Sequence, residues 1–413
     1  MISIREALEL VLAEVRPLGA ESIPLSEADG RILAEDVRAP SDVPSFANSQ
    51  MDGFGVHSQD LADAREDAPA RLRVVATIAA GSPLEGVVEG GTAVRIMTGA
   101  PIPAGVDAVV PIEEAQTEGE VVVLNASCPA GRFVRGAGED IRSGETVLQR
   151  GRALRPADAG LLASMGCAQV SVSKRPRVAI LGTGDELVPL GEPLGPGQIH
   201  DSNAYTLASA VREVGGTPER LGIIRDDRAS LHAALEEASR CDAVLSTGGV
   251  SVGDFDHVKD VMDEIGLQRR FWRVAQKPGK PITFATGKGC LYFGLPGNPV
   301  SATVCFALYV APALRAALGC PDVYAPAVRV TVGEAMRTAG HLTELVRCTL
   351  RPEGLGLVAR RTGSQSSGVL RSLSLADGLL ISPPGHAAFA VGDQATALQI
   401  RSGIDLAAAH VFD

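Results

Sequence analysis

The stretch Ser246-Thr247-Gly248-Gly249-Val250-Ser251-Val252-Gly253-Asp254-Phe255-Asp256 decides the fold of the central part of this chain. The preceding run Asp242-Ala243-Val244-Leu245 predicts a short buried strand, and residues 257–262 have the apolar spacing of a helix. A strand, a glycine-rich turn and a helix present backbone N–H groups and a positive helix end to an anion. An ordinary strand-to-helix turn with polar caps is the alternative interpretation. The candidate anion contacts are Thr247, Gly248, Gly249 and Ser251.

On both sides of this turn, apolar strands alternate with helices. Strands are predicted at 178–181, 221–224 and 291–295, and a long helix at 300–318. A helix capped by Asp201 or Ser202 and running to Val214 follows the first strand. Continuously apolar strands that alternate with helices predict a parallel sheet covered by helices on both faces.

The rest of the chain has a different pattern, so we predict a multi-domain α/β plus β protein. Short strands separated by Gly and Pro indicate a β-rich insert, and period-two alternation after residue 322 indicates a small β-domain or barrel. The expected domains are a discontinuous N-terminal domain at 1–45 and 141–175, the insert at 46–140, the α/β domain at 176–322, and the C-terminal β domain at 323–413.

Composition excludes several function classes. A length of 413 residues favours two to four domains, and the net charge of −11 argues against general nucleic-acid or acidic-membrane binding. The seven cysteines are scattered without a Cys-x-x-Cys pair, so free thiols in a reducing compartment are expected. We find no signal peptide and no apolar run of about 18 residues, and expect a cytoplasmic protein.

Acidic residues cluster in the loops that follow the predicted strands. Because the carboxyl ends of parallel strands meet at one edge of a sheet, loops beginning at 182, 225, 247 and 296 should share a cleft. Carboxylates beside a phosphate site suit Mg²⁺, although each acid alone is equally typical of a helix N-cap. The acids in these loops are Asp185, Glu186, Asp226, Asp227, Asp254 and Asp256.

A second candidate element is Lys277-Pro278-Gly279-Lys280-Pro281, where two ammonium groups lie on a turn stiffened by prolines. This arrangement predicts a pre-organised oxyanion site, and a solvated charged turn is the rival interpretation. Gly182-Thr183-Gly184 does not complete a dinucleotide fingerprint because Leu187 stands where a third glycine or alanine is needed. No phosphate-binding P-loop sequence is present either.

Taken together, eight ordered stretches resemble the molybdopterin molybdenumtransferase family, which includes bacterial MoeA and the E-domain of gephyrin. The resemblance covers nearly the whole chain. The stretches are Asn48-Ser49-Gln50-Met51-Asp52-Gly53, Arg95-Ile96-Met97-Thr98-Gly99-Ala100-Pro101-Ile102-Pro103, Gly138-Glu139-Asp140, Gly182-Thr183-Gly184-Asp185-Glu186-Leu187, Asp201-Ser202-Asn203, Thr247-Gly248-Gly249-Val250-Ser251-Val252-Gly253, Lys277-Pro278-Gly279-Lys280-Pro281 and Leu295-Pro296-Gly297-Asn298-Pro299-Val300-Ser301.

The resemblance implies an elongated homodimer that inserts molybdate into adenylylated molybdopterin (molybdopterin-AMP) with Mg²⁺ and releases AMP. It implies that Thr247, Gly248, Gly249 and Ser251 bind the pterin phosphate. Glu186 and Asp256 are implied at the metal and adenylate, with Asp226 and Asp227 as further metal candidates. The implied molybdate pocket comprises Lys277, Lys280, Ser301, Arg347 and Ser367, and the implied contribution of the insert, from the partner subunit, comprises Asp52, Thr98 and Asp140.

Two other functions remain open on the sequence. One is a protein-binding scaffold, although a scaffold has no need of Glu186, Asp256, Lys277 and Lys280. The other is insertion of tungstate, an oxyanion of nearly the same size and charge. Other cofactor-biosynthesis proteins are possible partners, whereas nucleic acid and membrane are not expected.

Overall fold

The computed structural model describes residues 1–225, 227–248, 255–354 and 356–401, and describes no side chain within 255–259. The described elements form four groups: an N-terminal unit, a β-rich insert, an α/β unit and a C-terminal barrel. The predicted fold class, multi-domain α/β plus β, is confirmed.

In the α/β unit, six of the described strands form one mixed sheet. In spatial order they are Thr217–Ile224, Arg177–Thr183, Ala243–Thr247, Cys290–Leu295, Thr283–Gly287 and Gln268–Trp272. The first four are parallel, as predicted, but Thr283–Gly287 pairs antiparallel with both Cys290–Leu295 and Gln268–Trp272, so it runs against the other five described strands. The cause is local: Lys288 (φ 53°) and Gly289 (φ 82°) make a two-residue turn, which can join only antiparallel strands.

The strand order places a topological switch point beside the glycine-rich turn. From Arg177–Thr183 the chain passes to Thr217–Ile224 on one side and then returns to Ala243–Thr247 on the other side. Helices leave the sheet in opposite directions at such a point, which opens a crevice at the carboxyl ends of the two strands.

Helices pack on both faces of this sheet. The buried apolar residues of the helices form one hydrophobic cluster on each face. One cluster contains Leu207, Val211 and Val300, and the other contains Leu231 and Val261. The helices are Ser202–Glu213, Arg228–Ala238, Phe255–Glu264 and a continuous segment made of Pro299–Cys305, a π-helical turn Phe306–Val310 and Ala311–Ala317.

The helical segment Pro299–Ala317 corrects one expectation from the sequence. Among the described residues it is long and apolar enough to cross a membrane, whereas the sequence analysis found no apolar run of that length. Most of it is buried inside the protein, where Val304, Tyr309 and Leu314 belong to the main core. It is therefore the central helix of that core.

The N-terminal unit begins with a capped helix, Ile4–Glu14. Ser3 Oγ accepts from the Glu6 backbone N–H at 3.2 Å, and the Glu6 carboxylate accepts from the Ser3 N–H at 2.7 Å. Ala7 and Val11 pack into the α/β core, so in packing terms this helix belongs there rather than with residues 141–175. The other elements of the unit are Ala20–Pro24, Leu25–Glu27, Val37–Arg38, Thr146–Leu148, Pro156–Ser164 and Gln169–Ser173.

The insert is a six-stranded sheet with a hydrophobic cluster on each face. In spatial order its strands are Ala108–Pro111, Gly53–Val56, Thr92–Ile96, Ala70–Ile78, Val121–Leu124 and Ala115–Glu118. A separate two-stranded ribbon, Asn48–Ser49 with Val134–Arg135, joins the two ends of the insert. The short helices are Ser58–Leu61 and Ile112–Glu114.

The C-terminal strands close into a five-stranded barrel, as the period-two pattern predicted. The strands are Thr343–Glu353, Gly356–Arg361, Ala327–Val332, Gln394–Gln399 and Gly378–Ser382, the last of which pairs back to the first. The strand Gln276–Lys277 of the lysine turn adds to the barrel beside Thr343–Glu353. Smaller elements are Met336–Arg337, Ala388–Phe389 and the helix Leu370–Ser374. Leu345 and Leu379 join the α/β core, so barrel and sheet share hydrophobic packing.

We predict that Leu245→Ala lowers the free energy of unfolding of the α/β unit by about 2–5 kcal/mol, because Leu245 has no solvent exposure on a central strand. Urea unfolding followed by the fluorescence of Trp272 measures this, since the single tryptophan lies on the same sheet. The control is Leu190→Ala, which truncates a leucine that is 51% exposed. Equal effects of the two substitutions would contradict the packing described.

Candidate functional site

A cavity of about 1120 Å³ lies at the switch point of the α/β sheet. Its floor is formed by Thr183, Thr247 and Gly248, at the carboxyl ends of the two central strands. The loop 296–299, which follows the next strand, forms another side. The predicted strand–turn–helix anion site therefore opens into the largest cavity described here, although Gly249 and Ser251 lie outside the described residues.

The glycine-rich turn requires glycine at position 248 for two reasons. Gly248 has φ +89°, and an added Cβ would overlap the Thr183 carbonyl oxygen and lie 2.9 Å from Thr183 Oγ1. Gly297 approaches the same backbone from the other side, since its Cβ would lie 3.8 Å from Gly248 Cα. Three strand-end loops thus meet without side chains between them, which leaves backbone N–H groups accessible to a ligand.

Two helix N-termini point into this cavity. Asp201 caps Ser202–Glu213, its Oδ1 accepting from the Ala204 N–H at 3.0 Å, and Asn203 Nδ2 donates to the Gly297 carbonyl at 2.8 Å. Pro299 begins the core helix at the opposite side. Unpaired N–H groups and the positive ends of helix dipoles favour a negatively charged ligand.

A buried hydrogen bond supports the floor of the site. The Ser246 hydroxyl and the Tyr292 phenol are 2.6 Å apart between neighbouring strands, directly before the glycine turn. Burial raises the pKa of Tyr292 to about 12, although the Ser246 hydrogen bond opposes the shift. The phenol therefore remains neutral and bonded at physiological pH.

The predicted acids separate in the structure. Asp185 and Glu186 line the cavity. An added Cβ at Gly184 (φ +140°) would overlap the Glu186 carboxylate, so this carboxylate lies against the bare glycine backbone. Asp256 is the second residue of the helix Phe255–Glu264, but its side chain, Asp226 and Asp254 are outside the described part of the chain.

The prediction of Asp227 as a metal ligand needs correction. Asp227 caps Arg228–Ala238, with its carboxylate accepting from the Ser230 N–H at 2.9 Å and from Ser230 Oγ at 2.8 Å. The backbone hydrogen bond from Ser230 lowers the pKa of Asp227. Its loop follows the edge strand Thr217–Ile224, one strand away from the switch point, so Asp227 does not reach the cavity.

Among the described residues, no group of three or more His, Cys, Asp or Glu side chains could hold a metal. The cavity nevertheless offers the Glu186 and Asp185 carboxylates beside an anion-binding turn. Mg²⁺ in phosphate-transfer sites commonly uses one or two carboxylates and completes its shell with substrate phosphate and water. The donors that the structure shows fit such a site.

The two lysines of the proline-rich turn face different surroundings. Lys280 lines the cavity. Lys277 does not line it, and Nζ lies 3.0 Å from the Glu344 carboxylate on the barrel. Residues 277 and 344 are register partners in the parallel pairing that attaches this turn to the barrel.

Arg347 is completely buried behind the loop 363–369. Its Nε donates to Ser372 Oγ at 2.7 Å, and its Nη2 donates to the Ser364 and Ser366 carbonyls at 3.1 Å each. Its Nη1 has no hydrogen-bond acceptor in the described part of the chain. Burial lowers the pKa of Arg347, and the guanidinium acts in this structure as the internal support of the loop.

The other residues predicted for the oxyanion pocket lie along the same α/β–barrel junction. The Ser367 carbonyl accepts from the Val300 N–H at 3.3 Å, and buried Ser301 lies near Gly279 of the lysine turn. From this junction Gly368 reaches the cavity wall, but Ser301, Ser367 and Arg347 do not line the cavity.

The three residues predicted in the insert form a separate group. The Thr98 N–H and hydroxyl both donate to Asp52 Oδ1, at 2.7 and 2.8 Å, and the backbone hydrogen bond lowers the pKa of exposed Asp52. Asp140 is exposed, and its N–H donates to the Val43 carbonyl. The described lining of the cavity contains no residue of the insert from the same chain.

Arg273 is a cavity residue that the sequence analysis did not select. It occupies the left-handed region (φ +65°), and its guanidinium stacks 3.8 Å from the centroid of Trp272. The sequence offered one signal for this role, since Arg273 lies four residues before Lys277. A basic residue at the end of an edge strand can reach the edge of the sheet at which the cavity lies. His200, Asn203 and Asn298 are further cavity residues that were not selected.

Comparison with known proteins agrees with this architecture. Family models match residues 2–166 as the MoeA N-terminal region (domain I and II), 179–316 as a probable molybdopterin binding domain, and 329–400 as the MoeA C-terminal region (domain IV). Fold and site thus define the class, a molybdopterin-binding-type α/β domain within a larger β-containing chain.

Relatives extend the match over the whole chain. A molybdopterin molybdenumtransferase of a Nostoc species is 36% identical over 97% of this chain and 94% of its own length. Molybdopterin molybdenumtransferase 2 of Mycobacterium tuberculosis is 37% identical, covering 95% and 98%. The crystal structure of a molybdopterin biosynthesis MoeA protein from Pyrococcus horikoshii has a TM-score of 0.85 and 31% identity, covering 98% of this chain and all of that one. The chain belongs to the molybdopterin molybdenumtransferase family, a family of transferases.

We predict that Tyr292→Phe removes a pH-dependent part of the stability. Below about pH 10, the ordinary pKa of tyrosine, the phenol is protonated in both states and its contribution is complete. Between about pH 10 and 12 the unfolded state loses the proton while folded Tyr292 keeps it, so the contribution falls as pH rises. The stability difference between wild type and variant should therefore shrink from pH 8 to 11 in urea unfolding. A constant difference would contradict the buried, neutral phenol.

We also predict that Arg347→Lys releases the loop 363–369, because an ammonium group cannot replace the three separate hydrogen bonds of the guanidinium. Hydrogen–deuterium exchange should accelerate at least about tenfold in this loop, corresponding to about 1.4 kcal/mol of local stability. Arg351→Lys is the matched control, since it lies on the same strand and pairs with Asp377 outside this loop. Unchanged exchange in the Arg347 variant would contradict its supporting role.

Proposed function

We propose that this protein inserts molybdate into adenylylated molybdopterin, with Mg²⁺-dependent release of AMP. The observation that carries the proposal is the cavity at the switch point, where an anion-binding glycine turn, two helix N-termini, Glu186 and Lys280 face one space. Its relatives named molybdopterin molybdenumtransferase support the same activity.

The substrate phosphates have a binding surface on the glycine turn. Thr247 and Gly248 present backbone groups at the floor, and the N-termini beginning at Ser202 and Pro299 add their dipoles. Release of AMP is a hydrolysis of the phosphoanhydride bond between the pterin phosphate and the adenylate: a water oxygen bonds to one phosphorus, the bridging P–O bond breaks, and the pterin monophosphate and AMP separate. The groups at the floor would hold the phosphates in place and stabilise the negative charge that develops on the leaving AMP.

Glu186 is the first candidate for holding Mg²⁺ at these phosphates, with Asp185 beside it and Asp256 on the following helix. When bound, the ion would neutralise charge on the phosphoryl oxygens. The bare backbone of Gly184 keeps the Glu186 carboxylate close to the turn. In this proposal Glu186 and Asp256 take the roles that the family resemblance implies.

Lys280 and Arg273 both line the cavity, and their positive charges would face the oxyanion. Lys277, Ser301, Ser367 and Arg347 lie at the adjoining junction, where Arg347 Nη1 lacks an acceptor among the described residues. A buried N–H donor without a partner costs free energy that an incoming oxyanion would offset. We therefore include Lys277, Ser301, Ser367 and Arg347 in the proposed molybdate pocket. Molybdate would reach these residues when the loop 363–369 moves.

We further propose a homodimer with a shared site. Asp52, Thr98 and Asp140 are exposed and are not among the described residues lining the cavity of their own chain. A second copy of the chain could supply them. The orientation of Asp52 by two hydrogen bonds from Thr98 suits a preformed contact of this kind.

The decisive experiment measures AMP release from adenylylated molybdopterin by the purified protein with Mg²⁺, with and without molybdate. We expect molybdate-dependent release, reduced at least about tenfold by Lys280→Met, since a charge-assisted contact is worth about 1.5–3 kcal/mol. Glu186→Gln should reduce release to a similar extent and raise the Mg²⁺ concentration required.

Lys288→Met is the control, because Lys288 lies on the hairpin turn between two strands and outside the described cavity lining. Release that does not respond to molybdate would contradict the transferase proposal, and pterin binding without release would favour a scaffold. The same assay with tungstate decides between the two oxyanions.

A further inference from the structure

A second large cleft, of about 870 Å³, lies between the N-terminal unit and the α/β unit. The two sides meet where the loop at Gly151 touches the turn at Gly319. An added Cβ at Gly151 (φ +82°) would lie 2.6 Å from the Gly319 carbonyl oxygen and 3.0 Å from Pro321 Cδ. The backbones are therefore in direct contact at the base of this concave surface.

Arginines line both walls of this cleft. The N-terminal wall contributes Arg31, Arg150, Arg152 and Arg155, and the α/β wall contributes Arg175, Arg212 and Arg315. The described lining contains three acids, Asp29, Glu213 and Asp322. This concentration of positive charge contrasts with the net charge of −11 of the whole chain.

Four of these arginines have an evident structural role. Arg31 pairs with Glu21 at 2.5 Å, and Arg152 pairs with Asp158 through two hydrogen bonds of 2.8 and 3.1 Å. Arg212 and Arg315 lie in the last turns of their helices, where the negative end of the dipole favours a cation. Arg315 also donates to the Val323 carbonyl at 3.2 Å.

The other three arginines are not explained in this way. Arg150, Arg155 and Arg175 are exposed side chains, and the ion pairs described above belong to other arginines of the cleft. The Arg155 charge helps to lower the pKa of Asp158, but that carboxylate is already hydrogen-bonded by Arg152. Arg175 makes one long hydrogen bond, 3.4 Å, to the Gly215 carbonyl. Seven arginines and three acids line the cleft, so positive charge is in excess there, and an anion in the cleft would lower the free energy of the protein.

The cleft is separate from the candidate active site. The helices Ser202–Glu213 and Pro299–Ala317 begin at the active-site cavity, and their last turns line the arginine cleft. A helix of 12 residues is about 18 Å long, which gives the scale of the separation.

We propose that this arginine cleft binds a small polyanion that carries two or more linked phosphate groups. The guanidinium fork matches phosphate oxygens in a bidentate manner, and arginines on two facing walls require at least two anionic groups in one ligand. The volume lies in the range of small-molecule sites, about 300–1,000 Å³. A compact, concave site with charge on facing walls favours such a ligand over an extended acidic segment of another protein.

The test is isothermal titration calorimetry of the full chain with tripolyphosphate. We expect saturable binding, weakened at least about tenfold in Arg150→Gln/Arg155→Gln/Arg175→Gln, because each lost contact is a charge-assisted hydrogen bond. The charge-matched control is Arg142→Gln/Arg240→Gln/Arg329→Gln, which removes three exposed arginines outside the described lining of the cleft. Its affinity should stay within about twofold of wild type, since only non-specific attraction is lost.

A further control separates this cleft from the active-site cavity, which is also suited to phosphate. Lys280→Gln affects only tripolyphosphate that binds in the active-site cavity, so it should leave unchanged the binding event that the cleft variant weakens. The unfolding midpoint reported by Trp272 fluorescence checks that every variant is folded. Titration with ATP tests whether the ligand is a nucleotide. An affinity for ATP equal to that for tripolyphosphate supports a phosphate chain alone, and a higher affinity supports a nucleotide.

Three results would overturn the proposal. The first is no saturable binding by the wild type. The second is weakening that is not specific to the cleft variant. This means either equal weakening in its charge-matched control or loss of binding only in Lys280→Gln. The third is tighter binding of an oligoglutamate peptide than of tripolyphosphate, lost in the cleft variant, which would assign the cleft to an acidic protein segment.

Discussion

The contact between the Gly248 backbone and the Thr183 carbonyl is the constraint on which the candidate active site depends. It holds the ends of the two central strands together at the point where the chain reverses its direction across the sheet. Any side chain at position 248 would separate these strands, because its Cβ would overlap the Thr183 carbonyl oxygen. The approach of Gly297 from the next strand adds a third loop to the same point.

This constraint gives the acids unequal roles. Glu186 follows the strand that ends at Thr183, so its carboxylate remains near the turn and against Gly184. Asp227 follows the edge strand and therefore serves its own helix as a cap. Two acids that look alike in sequence therefore lie in different places, Glu186 at the cavity and Asp227 at a helix cap, because one strand lies at the switch point and the other lies one position away.

The junction between the sheet and the barrel is built on a buried cation. Arg347 has no solvent exposure and supports the loop 363–369 through backbone carbonyls. Lys277 forms an ion pair with Glu344, which lies three residues before Arg347 on the same strand. A guanidinium in such a place must be hydrogen-bonded, because an unpaired buried charge is strongly destabilising. The loop that Arg347 supports contains Gly368, which lines the cavity, so the position of the barrel affects the cavity wall.

The sequence by itself determined the classes of secondary structure, the multi-domain fold class and the family, because these depend on local periodicity and ordered motifs. It placed the cap of one helix at Asp201 or Ser202, of which the structure shows Asp201, and it indicated a small C-terminal β-domain or barrel, which is a barrel in the structure. It did not predict the antiparallel edge of the sheet, the packing of the first helix on the α/β core or the presence of Arg273 in the cavity. These features were decided by the tertiary structure, since strand order, burial and the convergence of distant arginines depend on contacts between residues far apart in the chain.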